Sequence, residues 1–158
     1  METLHLLAQG FSVALTPENL FLCAMGVVAG TMVGALPGIG PAGATAILLP
    51  ATFKLGPIGS LIMLSGIYYG TQYGGTITSV LMKIPGESAS VVTMFDGNPL
   101  APQGKAALAL GLAAIGSFVG GTLSIVGLMM FGPPLANLAL MLGPAEYFSL
   151  MVMALSLV

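Results

Sequence analysis

The sequence has no arginine, a single histidine (His5) and a single cysteine (Cys23) among its 158 residues. Only 5% of its residues are charged, with three lysines (Lys54, Lys83, Lys105) against five acidic groups. Each scarcity excludes something. A soluble domain carries roughly 25% charged residues, so this chain has no means of building a solvated surface and belongs in a membrane. A nucleic-acid-binding face needs clustered basic side chains, and the three lysines are scattered. A lone cysteine in an apolar run supports neither a disulfide framework nor a thiolate metal site. A metalloprotease needs a pair of histidines, and an intramembrane aspartyl protease needs two carboxylates inside membrane helices, where this chain has none. A serine hydrolase needs a base beside its serine, and the apolar spans offer none. No catalytic residue, metal ligand or cofactor is therefore assigned.

What is abundant is apolar surface and glycine: 56% hydrophobic residues, 23 glycines and a mean hydropathy of +1.04. In so apolar a chain, glycine points to close helix packing and broken helices rather than to disorder. Met1 to Gln9 has no positively charged start, so the N-terminus reads as a retained membrane segment, not a cleaved signal. At the other end, Tyr147 to Val158 is apolar to its last residue. A spanning helix needs about 20 residues, so residues 1–158 are expected to be an N-terminal fragment of one membrane domain, cut within a helix.

Taken in order, Met1 to Thr16 is mildly amphipathic and reads either as an interfacial helix or as a frayed terminus. Thr16-Pro17 has the form of a helix start, with Thr16 as N-cap and Pro17 in the first turn. Leu20 to Leu36 is the first expected membrane helix. Its Gly26, Gly30 and Gly34 recur every four residues, a stripe that lets a second backbone approach. Pro37-Gly38-Ile39-Gly40-Pro41 then ends it, and a short helix, Ala42 to Phe53, makes the second arm of a hairpin. The Gly38-x-Gly40-x-x-Gly43 spacing matches a dinucleotide fingerprint, but that motif requires a preceding strand and an acidic residue about 20 positions on; here no acidic residue occurs between Glu18 and Glu87.

The most informative stretch is Gly66 to Ser79, where Gly66, Gly70, Gly74 and Gly75 alternate with tyrosines, Gln72 and hydroxyl side chains inside an apolar run. It is expected to interrupt its helix near Gly74-Gly75, because irregular backbone survives in a bilayer only where protein encloses it, and broken helices build solute sites in transporters. Lys83 to Lys105 is more polar and reads either as a surface loop or as a re-entrant segment presenting Glu87, Ser88 and Ser90 to a solute path. A long helix from Lys105 to Phe131, with Gly116 and Gly120 as a close-contact pair, is expected to end at Gly132-Pro133-Pro134. Another helix starts at Gly143-Pro144. Orientation has two solutions: all three lysines share one side if both broken segments are hairpins, whereas Lys54 opposes Lys83 and Lys105 if Pro57 to Met82 crosses fully.

These residues offer anion binding without arginine, through free backbone N–H groups at helix N-termini. Two such ends are expected, after Gly38-Ile39-Gly40-Pro41 and after Tyr73-Gly74-Gly75. The candidate substrate-binding residues are Gly38, Gly40, Pro41, Tyr69, Tyr73, Gly74, Gly75, Thr76, Thr78 and Ser79, with hydroxyls adding donors and the tyrosines closing the site. Against this stands a packing role for the glycines and local backbone satisfaction for the hydroxyls. Glu87 and Asp96 are candidate proton carriers, and unwound carbonyls could hold a coupling cation.

The chain resembles the large membrane subunit (TctA) of the tripartite tricarboxylate transporters. The matching blocks include Gly34 to Pro41, Leu48 to Thr52, Gly66 to Gly70 with Tyr73 to Thr76, Pro85-Gly86-Glu87, Asp96 to Leu100 and Gly143 to Phe148, in the family's order from about residue 20. Gln103 stands where a basic residue is more usual. Complete members are several times longer, with two halves of inverted topology, and this chain is similar to part of the first. The resemblance implies a polytopic all-α protein of the bacterial inner membrane with discontinuous or re-entrant helices, part of an inverted-repeat transporter. It further implies a secondary transporter for tricarboxylates or related carboxylates, driven by Na⁺ or H⁺. Its partners would be a small membrane subunit (TctB-like) and a periplasmic solute-binding protein (TctC-like). A one-component carrier or channel is the alternative.

Overall fold

The computed structural model describes residues 2–156, and among them all regular structure is helical. The elements are α1 (Glu2–Ala14), α2 (Pro17–Gly34), α3 (Gly40–Leu48) continued by a 3-10 turn (Leu49–Thr52), α4 (Pro57–Met82), α5 (Ser90–Gly97) with a 3-10 turn (Asn98–Leu100), α6 (Ala106–Leu140) and α7 (Pro144–Ser156). Pro17–Gly34 and Ala106–Gly132 are long and apolar enough to cross a bilayer. The chain divides into two compact units, residues 1–114 and 115–158. Leu157 and Val158, the end of the last apolar run, lie outside the described residues.

The first unit is organised by a glycine zipper between α2 and α4. A β-carbon on Gly26 would sit 3.2 Å from the Ile67 nitrogen, one on Gly30 2.8 Å from the Ile67 Cα, and one on Gly34 2.5 Å from the Thr71 Cα. The relation is reciprocal: β-carbons on Gly66, Gly70 and Gly74 would meet the Cys23 carbonyl oxygen (2.6 Å), the Val27 Cα (2.9 Å) and the Gly34 carbonyl carbon (2.9 Å). Both stripes repeat every four residues, so each stays on one face and the two backbones touch along their shared length. Contacts that advance together in both helices mean that α2 and α4 run parallel. Parallel neighbours require a return path, which α3 and its 3-10 extension supply. At about 1.5 Å and 2.0 Å per residue they cover about 21 Å, about the rise of the fourteen or so residues of α2 they must undo.

This packing overturns the expected interruption of α4. The helix is continuous from Pro57 to Met82, through Gly66 to Ser79. The glycines are there because a β-carbon would strike α2, and an intact helix keeps every backbone group satisfied in an apolar setting. Ile67, buried completely, and Thr71 lie at the seam. Lys54 stands just before α4 and Lys83 just after it, so these two cations mark opposite ends of that helix.

Helix starts follow the expected chemistry with one difference. Thr16 is the N-cap of α2 in extended conformation with Pro17 in the first turn, but its hydroxyl donates backwards to the Val13 carbonyl (3.0 Å), which also accepts the Asn19 amide (2.8 Å). Residues 2–14 are helical, not frayed. A second correction concerns α6, which does not stop at Gly132-Pro133-Pro134 but runs to Leu140. Proline costs about 3 kcal/mol in a solvated helix interior, yet apolar helices tolerate it where local adjustment and neighbouring groups re-satisfy the freed carbonyls. In the second unit α7 begins at Pro144 as expected, and the Tyr147 hydroxyl donates to the Ala139 carbonyl (3.1 Å). Gly116 and Gly120 have open space where a β-carbon would project; among the described residues nothing packs on that pair.

Candidate functional site

α4 extends beyond the end of α2, and two chain reversals pack against it at the level of Gly74 and Gly75. The first is the tip of the α2–α3 hairpin. Past Gly34 the helix tightens, with Ala35 N–H donating to Thr31 (3.1 Å) and Leu36 N–H to Val33 (3.0 Å). Gly38 (φ +92°) and Gly40 (φ +63°) then turn the chain in the left-handed region that glycine alone enters freely. Pro41 occupies the first turn of α3, and no side chain caps that end, so its first N–H groups lack a side-chain acceptor.

The second reversal follows α4. Lys83 takes a left-handed conformation (φ 58°), and its N–H and that of Ile84 (3.5 Å) both reach back to the Thr78 carbonyl, closing the helix with a left-handed cap. Pro85 and Gly86 then carry the chain back down α4. A β-carbon on Gly75 would lie 3.3 Å from the Gly86 Cα, and one on Gly86 would lie 3.2 Å from the Gly34 carbonyl oxygen. The tips are joined directly: Gly38 N–H donates to the Gly86 carbonyl (3.2 Å).

From this level the two short helices diverge. α3 runs back beside α4 towards its start, while α5 climbs towards its end, where the Asn98 amide donates to the Val80 carbonyl (2.8 Å). Their positive N-terminal ends are therefore brought to one level of the bundle. The start of α5 is organised by Ser90, whose hydroxyl donates to the Glu87 carbonyl (2.9 Å) and accepts from Glu87 N–H (3.2 Å). Ser90 is buried and Glu87 is partly so, and loss of solvent pushes the Glu87 carboxyl above its ordinary value of 4.5.

The structure places the sequence-predicted residues as follows. Gly38, Gly40 and Pro41 form the first tip, as the expected helix start requires. Gly74 and Gly75 are at the right level but in a different role: they lie mid-helix, with no free N–H groups, and Gly75 is the surface on which Gly86 rests. The second helix N-terminus is that of α5. The hydroxyls are engaged locally, Thr76 donating to Gln72 (3.2 Å), and Thr78 (3.0 Å) and Ser79 (2.8 Å) both donating to the Gly75 carbonyl. Tyr69 is exposed in edge contact with Tyr68 (centroids 6.0 Å apart), and the Tyr73 hydroxyl donates to Leu110 in α6 (3.3 Å); neither closes over the tips. Glu87 joins the site, whereas Asp96 is exposed on α5. Gly86 was not among the expected site residues, and Ser90 was named only in the re-entrant reading of the Lys83 to Lys105 segment. The signal for them was the Pro85-Gly86 turn followed by a serine three residues after Glu87.

A protein of Agrobacterium vitis, described as an uncharacterized 52.8 kDa protein in the TAR-I ttuC' 3' region, is 52% identical to this chain over 155 residues. That match takes in 98% of this chain and 31% of the relative, so the chain spans about a third of the longer protein. No solved structure matches the chain. The profile of the tripartite tricarboxylate transporter TctA family, a membrane transport family, matches residues 20–158, and the chain belongs to that family.

Proposed function

We propose that this chain forms the first part of the large membrane subunit of a binding-protein-dependent secondary transporter for tricarboxylates or related carboxylates, and that a substrate carboxylate is held where the two tips meet. The observation that carries the site is the junction of Gly38, Gly75 and Gly86, which brings the uncapped start of α3 and the start of α5 to one level. The N–H groups of the uncapped α3 start and the aligned dipoles of both ends attract anions at about 0.3–1 kcal/mol each when exposed and more when partly buried; at α5 the Ser90 and Val91 N–H groups already donate to the Glu87 (3.2 Å) and Ser88 (3.4 Å) carbonyls, so that end acts through its dipole. Gly38, Gly40 and Pro41 shape one edge and Gly86 the other, with Gly74 and Gly75 as floor.

Glu87 is the proposed proton carrier. Ionised, it would repel a carboxylate at the same tip; protonated, it would not, so proton and anion bind together. Asp96 is the second candidate, and Na⁺ coupling remains the other arm of the same proposal. In this reading the subunit lies in the bacterial inner membrane with a TctB-like small subunit, and a TctC-like periplasmic protein delivers the solute.

The test is uptake of radiolabelled carboxylates by cells expressing the complete gene, with and without the binding protein. Uptake that needs that protein and collapses with the ion gradient supports the proposal. Uptake indifferent to the binding protein identifies a one-component carrier instead.

A further inference from the structure

At the end of α4 remote from the tips, a cavity of about 340 Å³ opens where the end of α1, the first turn of α2 and the α3–α4 turn come together. Its lining divides by chemistry. Glu18 and Asn19, from the first turn of α2, supply acceptors; Lys54, from the turn before α4, supplies the cation; Val13, Leu22 and Ile58 supply apolar wall. The Asn19 amide nitrogen is already held by the Val13 carbonyl (2.8 Å), which leaves its oxygen as the accepting end. In a chain with eight charged residues (three basic, five acidic), two of opposite sign share this one cavity. The two walls meet at Gly59, where an added β-carbon would lie 2.9 Å from the Leu22 side chain.

We infer that this cavity binds the headgroup of a phosphatidylethanolamine-type lipid, its phosphate on Lys54 and its primary ammonium on Glu18 and Asn19. The charge pattern selects among lipids. A purely anionic headgroup satisfies Lys54 but meets Glu18 unpaired. A choline headgroup has no N–H to donate, and no aromatic ring lines the cavity to receive a quaternary ammonium. A lipid rather than a soluble phosphoamine is the occupant because the segments that line the cavity also carry exposed apolar side chains: Leu15, Phe21, Ile58 and Leu61, each at or within two residues of a lining position, are more than half exposed and offer a path for acyl chains.

The test is lipid retention by the full chain in phosphatidylcholine nanodiscs doped equally with phosphatidylethanolamine and phosphatidylglycerol, followed by native mass spectrometry. Phosphatidylethanolamine should be retained over both others. Glu18→Gln should lower its advantage over phosphatidylglycerol, and Lys54→Gln should weaken retention of both, by about threefold per partly exposed charge. Equal retention of the three lipids by the unaltered chain overturns the inference whether or not the variants fold. So does a preference that survives both substitutions in chains of normal helicity, and so does displacement by free phosphoethanolamine at concentrations equal to the lipid.

Discussion

Gly75 and Gly86 meet backbone to backbone: the Cα of Gly86 lies 3.3 Å from where a β-carbon of Gly75 would project, and a β-carbon on Gly86 would run into the Gly75 Cα. This contact lets the segment after α4 fold back to the hairpin tip. The two positions are not equivalent. Gly75→Ala asks for a shift of a few tenths of an ångström, whereas Gly86→Ala collides with backbone on two sides, including the Gly34 carbonyl oxygen at 3.2 Å. Gly86→Ala should therefore destabilise the protein by about 1–3 kcal/mol and abolish carboxylate uptake, with Gly75→Ala clearly milder. Thermal unfolding in nanodiscs, set beside uptake by the complete gene product, checks both. Equal effects at the two positions would show that the backbones do not meet as described.

The zipper makes a sharper contrast with glycines elsewhere. Gly30→Ala drives a methyl into the backbone of Ile67, where a β-carbon lies 2.8 Å from the carbonyl carbon, and no rotamer change can relieve it. Gly116→Ala meets open space and gains helix propensity of about 0.5–1 kcal/mol. The first substitution should lower the midpoint of thermal unfolding of this chain and the second should leave it unchanged or raise it. A Gly116→Ala variant as damaged as Gly30→Ala would refute the assignment of close packing to Gly30 and open space to Gly116.

That contrast also locates what was legible in the amino-acid sequence. Thr16-Pro17 and Gly143-Pro144 announced helix starts by local chemistry, and both helices begin there. The stripe of Gly26, Gly30 and Gly34 announced close packing because its period fits one helical face. The same period at Gly66, Gly70 and Gly74 suits an interruption as well as a seam, because glycine in an apolar helix serves packing and breaking equally. Only the partner decides, and the partner is 40 residues away in the chain. The hydroxyls of Thr78 and Ser79 suggested a polar site, yet within a helix the nearest acceptor is the preceding turn's carbonyl, and both take Gly75. Pro133-Pro134 read as a stop by the rules of solvated helices, and α6 continues through them. The meeting of Gly38 with Gly86 left no local trace, because it depends on two separate reversals arriving at one level of α4.

Lys83 is, among the described residues, the non-glycine residue with positive φ (58°). An L-residue in that region costs roughly 1–2 kcal/mol relative to glycine. Lys83→Gly should therefore stabilise the chain by about 1 kcal/mol, and Lys83→Val, whose branched side chain is still less tolerant there, should destabilise it. Both are read from thermal unfolding midpoints in the same lipid. An unchanged midpoint for Lys83→Gly would mean that the lysine side chain offsets the strain by a contact of its own.

Glu87 connects the fold to pH. Burial raises its carboxyl above 4.5, so the folded state holds the proton more tightly than the unfolded chain does. The sign follows from linkage: the stability this group contributes is fully present below its ordinary value and is lost as pH rises through the raised folded value. Unfolding midpoints measured upward from pH 4.5 should therefore decline in the unaltered chain and be flatter in Glu87→Gln, which mimics the protonated form. In the complete transporter, Glu87→Gln should keep carboxylate binding, since no negative charge remains at the tip, but lose its pH dependence and the coupling of uptake to a proton gradient. Binding that retains the same pH profile in Glu87→Gln would remove this carboxyl from the coupling mechanism and leave Asp96 or a Na⁺ ion to carry it.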